Sequence, residues 1–373
     1  MAKRGMRRAG DPRRPARVTI KEVAEAAGIS MMTVSNVINH RPNVSAALRE
    51  RVQKQIDDLG YVPNRAAQEL AGVTRPHFGL LYPGVINPFI ASVIVGSLNA
   101  ASRLKVDVSI QLARPGDAKE LKDTVRRMQD TGVEGLLLPS PMAEFAAQTF
   151  RKKPPVPVVA LAPGLPIPGI TSVRCNERQA AFELVSMLLD LGHTRIAHLA
   201  GPETQSGSIA RLEGYKAALI SRGIDPHPDC VVRSSEFRFQ SGVKAAEALL
   251  DLEPRPTAIF AANDTLAASV LAVTHHRDIA VPEELSVVGY DDSPTAEQVW
   301  PALTTVRQDF ATMTERAVEA LDEKVRALRA GTPLGPADDV VLPYEIVRRS
   351  STAPLSKREA PEPSGLRPFP GCL

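Results

Sequence analysis

The stretch TIKEVAEAAGISMMTVSNVI, residues Thr19–Ile38, contains two short helical patterns joined by a glycine. Thr19 and Glu22 have the spacing of a capping box, in which two side chains satisfy backbone N–H groups where a helix starts. Gly28 tolerates the left-handed conformation that ends a helix, and Ser30 is suited to cap the helix that follows. The stretch therefore predicts two short helices separated by a tight turn.

Three positions in this stretch suit a close crossing of the two helices. Ala24 lets the helices approach, Gly28 forms the turn, and Val34 fills the angle between them. A third helix is predicted to start at Ser45. Its expected core residues, at helical spacing, are Leu48, Val52, Ile56 and Leu59. Residues 18–62 are thus predicted to form a helix-turn-helix head.

Composition bounds the class of protein. At 373 residues and 43% hydrophobic, the chain can bury a large core and form two or three domains. No run of about 18 apolar residues is present, so the sequence predicts no membrane span. No secretion signal follows the charged N-terminus, which favours a cytoplasmic protein that associates with the nucleoid. The three cysteines lack metal-site spacing and the histidines are not clustered, so neither a metal nor a cofactor is expected.

Positive charge is concentrated at one end of the chain. Residues 1–75 contain 14 Lys and Arg against 7 Asp and Glu, whereas the remainder is mildly acidic. Residues 1–17 are strongly basic and contain several Gly and Pro residues, which predicts a disordered arm. A basic end is typical of a protein that binds a polyanion such as DNA, although a solvated tail is the alternative for the arm taken alone.

The second helix is predicted to present an outer face without Lys or Arg. With Val34, Val37 and Ile38 toward the core, the outer and flanking residues are Met31, Met32, Ser35, Asn36 and Asn39. Asn36 offers a donor and an acceptor that match adenine, and the methionines suit thymine methyl groups unless they merely pack or lie exposed. Candidates for phosphate contacts are Thr33, Ser35 and Arg41. The helix is expected to prefer A·T-containing steps.

Beyond residue 76, short apolar runs alternate with segments of helical period. The apolar runs lie near residues 78–82, 106–111, 136–138, 156–160, 195–199, 257–261 and 285–290. Such alternation predicts parallel sheets covered by helices on both faces. The expected fold class is α/β: a three-helix head, followed by a body with two lobes of doubly wound parallel sheets.

The segment VTIKEVAEAAGISMMTVSNVINHRPNVSAALRERVQKQIDDLGYVPNRAAQELAG, residues 18–72, resembles the DNA-binding head and hinge of the LacI (lactose-repressor) family of bacterial regulators. The motifs GLLYPGVINPF, DLGHTRIAHLAGP, ARLEGY, FAANDTLA, SVVGYDD and PALTTVRQ then follow in the order of that family. The resemblance covers roughly residues 18–353. It implies a body like that of periplasmic binding proteins.

The resemblance also implies a hinge helix within residues 63–75. A helix of about seven residues does not persist alone in water. In this family two such segments pair over the minor groove, and a leucine matching Leu70 wedges between base pairs; a flexible linker is the alternative. Besides the residues named above, the expected DNA contacts are Thr19, Asn64, Arg65, Ala67 and Leu70. A homodimer on a pseudo-palindromic operator is expected.

The resemblance places an effector cleft between two lobes of the body, residues 76–353. The first lobe is expected to comprise residues of about 76–174 and 306–334, and the second lobe residues of about 175–305 and 335–353. Residues 354–373 are expected to form a disordered tail. The expected effector contacts are Phe89, Ser140, Arg211, Phe237, Asn263 and Asp291. Ala162 and Cys175 stand where relatives often carry Asp. A sugar derivative, a nucleoside or no effector therefore remains open beside a simple sugar.

The sequence predicts a DNA-binding transcriptional regulator, a repressor whose operator affinity is set by a small molecule, with a sugar or sugar derivative favoured. One alternative is the same regulator with a nucleoside or purine effector, or with none. A solute-binding protein is the alternative from another class, since it would share the body. No nucleophile elbow, phosphate-binding loop or dinucleotide fingerprint is present, so the chain is not expected to be an enzyme.

Overall fold

The computed structural model describes residues 18–38, 44–61, 75–85, 87–151 and 153–355. Several positions discussed above lie outside the described residues. They are the arm 1–17, Asn39, Arg41, Asn64, Arg65, Ala67, Leu70 and residues 356–373 of the tail. The chain forms two compact units, residues 1–75 and residues 76–373.

The first unit contains three helices in its described part: α1 Ile20–Ala27, α2 Met31–Ile38 and α3 Ala46–Leu59. The predicted capping box is present at the start of α1, and Gly28 ends that helix with φ +63°. Residues buried in the head core are Val23, Ala24, Ala27, Val34, Val37, Val52 and Tyr61. The expected burial of Leu59 is wrong. Leu59 is the last residue of α3 and is exposed, whereas Tyr61, just beyond the helix end, is buried.

The first lobe of the body has a sheet of parallel strands. They are β1 His77–Tyr82, β2 Asp107–Leu112, β3 Gly135–Pro139, β4 Val158–Leu161, β5 Thr171–Cys175 and β11 Asp339–Leu342. Their order is β11-β5-β4-β3-β1-β2. Helices α4 Pro88–Leu104 and α12 Phe310–Arg329 cover one face, and α5 Ala118–Asp130 and α6 Met142–Thr149 cover the other. Because both faces are covered, the central strands consist of continuous apolar runs.

The second lobe repeats this arrangement on a smaller parallel sheet. Its strands are β6 Ile196–Ala200, β7 Val231–Arg233, β8 Ala258–Ala261 and β9 Ser286–Val288, in the order β7-β6-β8-β9. Helices α7 Glu177–Asp190 and α8 Ser206–Ser221 pack on one face. Helices α9 Phe239–Leu250 and α10 Asp264–His276 pack on the other, and the short α11 Thr295–Gln298 follows β9. The lobe therefore has a core on each side of its sheet.

An antiparallel pair of strands, β10 Thr305–Gln308 and β12 Tyr344–Val347, joins the lobes. The expectation that the second lobe resumes at residue 335 is wrong, because β11 pairs in parallel with β5 in the first sheet. Pro343 separates β11 from β12. Proline lacks the N–H group that a continuing strand would donate, so one apolar run is divided between two sheets.

Among the described residues, no helix is both long enough and apolar enough to cross a bilayer. The longest, α12, has 20 residues but carries several charged side chains.

Candidate functional site

Helix α2 turns one side toward the head core and the other toward solvent. Val34 and Val37 are buried, whereas Met31 and Met32 are 52% and 75% exposed. Ser35 and Asn36 are half-buried on the same helix. The structure thus brings the described members of the predicted reading face together on one short helix, with the side chains of Met31 and Met32 exposed.

Several polar side chains near this face are engaged within the head. The Thr33 hydroxyl lies 2.8 Å from the Ser30 hydroxyl, which also accepts the Thr33 N–H group. The Thr19 hydroxyl donates to the Glu22 carboxylate at 2.9 Å. Because these hydroxyl groups serve the starts of α2 and α1, the helix starts are held before any DNA is bound.

A cleft with a volume of about 340 Å³ lies between the lobes of the body. Its wall includes residues that follow β3, β6, β8 and β9, the carboxyl-terminal edges of both sheets, where open α/β sheets bind ligands. All of the expected effector contacts line it: Phe89, Ser140, Arg211, Phe237, Asn263 and Asp291. The structure therefore assembles the six residues, which are far apart in sequence, around one cavity.

Arg211 is the centre of the polar wall. Its Nε donates to Glu177 Oε2 at 2.7 Å, and a second guanidinium nitrogen donates to Asp291 Oδ1 at 3.3 Å. A third donates to the Ala262 carbonyl oxygen, and the guanidinium carbon lies 3.9 Å from the centre of the Tyr290 ring. Burial alone would lower the pKa of Arg211, but the charges of Glu177 and Asp291 raise it above its ordinary value.

Two carboxyl groups of the second lobe, those of Asp291 and Asp264, are shifted toward the neutral form by burial. The pKa of Asp291 is raised to about 6, because desolvation outweighs the opposing effect of Arg211. The pKa of Asp264 is raised to about 7, chiefly because burial removes the carboxylate from water and secondly because of the negative charge of Asp291. Asp264 nevertheless accepts hydrogen bonds from the Ser293 N–H group at 2.7 Å and from the Thr305 hydroxyl at 2.6 Å.

Three important positions escaped the sequence reasoning. Glu177 is only 3% exposed and balances Arg211, although it stands at the first position of α7, where an acidic residue usually serves the helix dipole. Gln308 donates to Asp291 Oδ1 at 3.0 Å from the strand β10. Glu144 in α6 accepts a hydrogen bond from Ser206 of the other lobe. Only the tertiary fold brings Glu177 and Gln308 to the cleft and Glu144 to Ser206, and no local pattern predicts these positions.

Aromatic rings form the apolar part of the wall. Phe89 packs on Phe310 with ring centres 4.9 Å apart. Phe237 lies against Gly201, where an added Cβ would come within 2.4 Å of the ring, so only glycine leaves room for it. The cleft therefore combines an apolar side with a polar side centred on Arg211, which is the usual composition of a small-molecule site. In the described part of the chain, no group of three or more His, Cys, Asp or Glu residues could hold a metal ion.

Comparison with known proteins accounts for both units. Residues 19–64 match the family of bacterial regulatory proteins of the lacI type, and residues 185–352 match the periplasmic binding protein-like domain. The chain is 32% identical to catabolite control protein A of Priestia megaterium over 336 residues, which are 90% of this chain and 99% of that protein. The chain belongs to the LacI family of bacterial transcriptional regulators. The predicted family and fold class are thereby confirmed.

Other LacI-family members extend the likeness. The chain is 31% identical to the transcriptional repressor PurR of Vibrio atlanticus over 83% of this chain and 92% of that protein. A lac repressor dimer bound to operator and the anti-inducer ONPF superposes with a TM-score of 0.78 at 29% identity, covering 90% of this chain and 99% of that one. A CelR–cellobiose complex superposes with a TM-score of 0.65 at 30% identity, covering 90% of this chain and 100% of that one.

These matches decide between the function classes considered from sequence. The named relatives are transcriptional regulators rather than enzymes. The prediction of a DNA-binding transcriptional regulator is confirmed. The alternative of a solute-binding protein is set aside, because the matched length includes the DNA-binding head as well as the body.

Proposed function

We propose that this protein is a repressor that binds a pseudo-palindromic operator as a homodimer, with an affinity set by a sugar or sugar derivative in the interlobe cleft. We further propose that it acts in the cytoplasm on nucleoid DNA, catalyses no reaction and needs no cofactor. The observation that carries the proposal is the presence, in one LacI-family chain, of a helix-turn-helix head and a polar cleft between two lobes.

The exposed side of α2 supports sequence reading by this helix. A recognition helix contacts base edges in the major groove from its N-terminal part. Met31, Met32 and Asn36 lie on that side. An asparagine that pairs with adenine discriminates by about 1–3 kcal/mol, and methionine suits thymine methyl groups. We assign A·T-containing half-sites to this helix.

Phosphate contacts would then supply most of the affinity. We assign them to Thr33, Ser35 and Arg41, with help from the basic arm. We assign further contacts with the DNA to Thr19, Asn39, Asn64, Arg65 and Ala67. The resemblance to the LacI family supports contacts by the hinge segment. It assigns Leu70 to a wedge between base pairs at the operator centre. Lys and Arg contacts to phosphate release counterions, so binding should weaken steeply as salt is added.

The cleft supports control by a ligand that contacts both lobes. Phe89 and Ser140 belong to the first lobe, whereas Arg211, Asn263 and Asp291 belong to the second. A ligand held by both sets favours one arrangement of the lobes, and only such differential affinity can shift a regulator between states. The structures of relatives with cellobiose and with ONPG favour a sugar-like ligand.

Selection from a pool of random duplexes tests the DNA-binding part directly. The full chain should enrich a pseudo-palindrome with A·T steps in each half-site, and its retention on the enriched duplex should fall steeply between low and moderate salt. An Asn36→Ala variant is the matched control for base reading. A pool that shows no enriched sequence after repeated rounds would overturn the proposal.

A further inference from the structure

We infer that the interlobe cleft takes an uncharged or amino-bearing polyhydroxylated ligand and rejects phosphorylated or carboxylated ones. This inference rests on the proposed effector role of the cleft and names the class of ligand. It depends on three features of the described wall: the pairing of its basic groups, the acidic side chains at two of its helix starts and a buried hydrogen-bond acceptor without a partner.

Neither basic group in the described wall is unpaired. Arg211 and Arg238 are the only Lys or Arg side chains among the described lining residues. Arg211 is held by Glu177 and Asp291, and Arg238 lies 2.9 Å from Glu236. The lining acids therefore outnumber the lining bases by one. A phosphate group would meet a net negative wall, and juxtaposed like charges act strongly against a wrong ligand.

Acidic side chains lie at two of the helix starts beside the cleft. An exposed helix N-terminus attracts phosphate through its N–H groups and dipole. At the start of α8, a Cβ added to Gly207 would lie 2.8 Å from a Glu177 oxygen, and Ser206 donates to Glu144. Negative charge thus already lies beside the start of α8. The start of α10 is capped by Asn263 and begins with Asp264.

An unsatisfied acceptor in the wall points to a ligand that donates hydrogen bonds. Gln308 is 4% exposed and lines the cleft, and its Oε1 has no hydrogen-bond partner within the described structure. Its amide orientation follows from chemistry, because the Nε2 group must face the carboxylate of Asp291. A ligand O–H or N–H group would satisfy this oxygen.

A panel that pairs each neutral sugar with its phosphate ester tests this inference. Thermal shift followed by calorimetry would compare glucose, galactose, ribose, cellobiose and trehalose with their phosphate esters, and would include glucosamine. At least one neutral or amino sugar should bind, with its phosphate ester about a hundredfold weaker because of like-charge repulsion. An ester that binds as tightly as its parent would overturn the inference, and so would a panel in which no neutral or amino sugar binds.

Two variants locate the effect. Asp291→Asn removes one negative charge and should reduce the ratio of the dissociation constants of phosphate ester and parent sugar about tenfold. Asp292 does not line this cleft, so Asp292→Asn should leave that ratio unchanged. Gln308→Leu should weaken binding of the neutral sugar about tenfold without changing the ratio of dissociation constants. This second variant provides a test of the cleft if Asp291→Asn does not fold. If Asp291→Asn leaves the ratio unchanged and Gln308→Leu leaves the affinity for the neutral sugar unchanged, the inference is contradicted. Operator retention by the same preparations keeps this failure distinct from failure of the proposed regulator.

Discussion

The Nε of Arg211 lies 2.7 Å from the Oε2 of Glu177, and both side chains are less than a tenth exposed. This ion pair joins the start of α7 to α8 in the second lobe. Two charges removed from water need each other, because either one alone would be buried without compensation. The pair therefore fixes the position of the Arg211 guanidinium in the cleft wall. The Glu177 carboxylate also neutralises the positive charge to which an anionic ligand would otherwise bind.

Removing Glu177 should destabilise the body strongly. Glu177→Ala leaves the longer contact with Asp291 as the one ion pair of Arg211 among the described residues. We therefore expect a loss of about 3 kcal/mol in the free energy of unfolding, measured by urea denaturation. Glu236→Ala, which breaks a largely exposed ion pair with Arg238, is the matched control and should cost at most about 1 kcal/mol. Equal losses in the two variants would contradict a structural role for the buried pair.

Asp264 should make stability depend on pH in a defined direction. Its pKa rises from 3.8 to about 7 on folding, chiefly through burial. Between about pH 4 and 7 the unfolded chain loses this proton while the folded chain keeps it, so wild-type stability falls as pH rises and levels off above about 7.

Asp264→Asn lacks this titration. The stability of the variant relative to wild type should therefore increase across that interval, by up to about 4 kcal/mol, since one pKa unit corresponds to about 1.4 kcal/mol. Unfolding titrations in buffers from pH 4 to 8 measure the difference. A difference that stays constant with pH, or that falls as pH rises, would exclude the proposed protonation of Asp264.

The Thr19 hydroxyl should act on helix α1 whether or not it also meets DNA. It donates to Glu22 and receives the Glu22 N–H group. Thr19→Ala should lower the stability of the head by about 1 kcal/mol, the usual cost of a lost N-cap, whereas Thr19→Ser keeps the hydroxyl and most of the stability. Thermal unfolding followed by circular dichroism compares them. If Ser and Ala behave alike, the methyl group rather than the cap matters.

Asn36 should determine preference at one base pair in each half-site. Asn36→Ala should relax discrimination there by about 1–3 kcal/mol and leave neighbouring positions unchanged, because only a bidentate amide contact is lost. Titration of the enriched duplex and its single-base variants measures this loss. Gln53→Ala removes an exposed amide from α3, where it bonds Asp57, and should change nothing. An unaltered preference in Asn36→Ala would exclude base reading by this residue.

Local patterns were sufficient to predict the head and the alternation of the body. The capping box at Thr19, the turn at Gly28 and the strand near residues 156–160 all depend on neighbours within a few residues, and they appear in the structure. The division of one apolar run at Pro343 was missed, because strand partners from two different sheets decide where each half goes.

The cleft shows the same limit. Arg211 and Asp291 were found through motifs, but the role of Glu177 depends on the packing of α7 against α8, and that of Gln308 on the position of β10. A helix-starting glutamate is normally solvated, so nothing in its local sequence indicates burial. The charge balance of the wall could therefore be read only from the assembled fold.

The central claim is that occupancy of the interlobe cleft controls the affinity of the head for DNA. The most direct measurement is the dissociation constant of the full chain for its enriched duplex, at fixed salt, with and without a saturating sugar identified in the panel. We predict a change of about 5-fold to 150-fold, the range of typical allosteric coupling, and a Gln308→Leu variant should need about tenfold more sugar to show the same change. Equal dissociation constants for the wild type with and without a sugar that demonstrably fills the cleft would contradict the account.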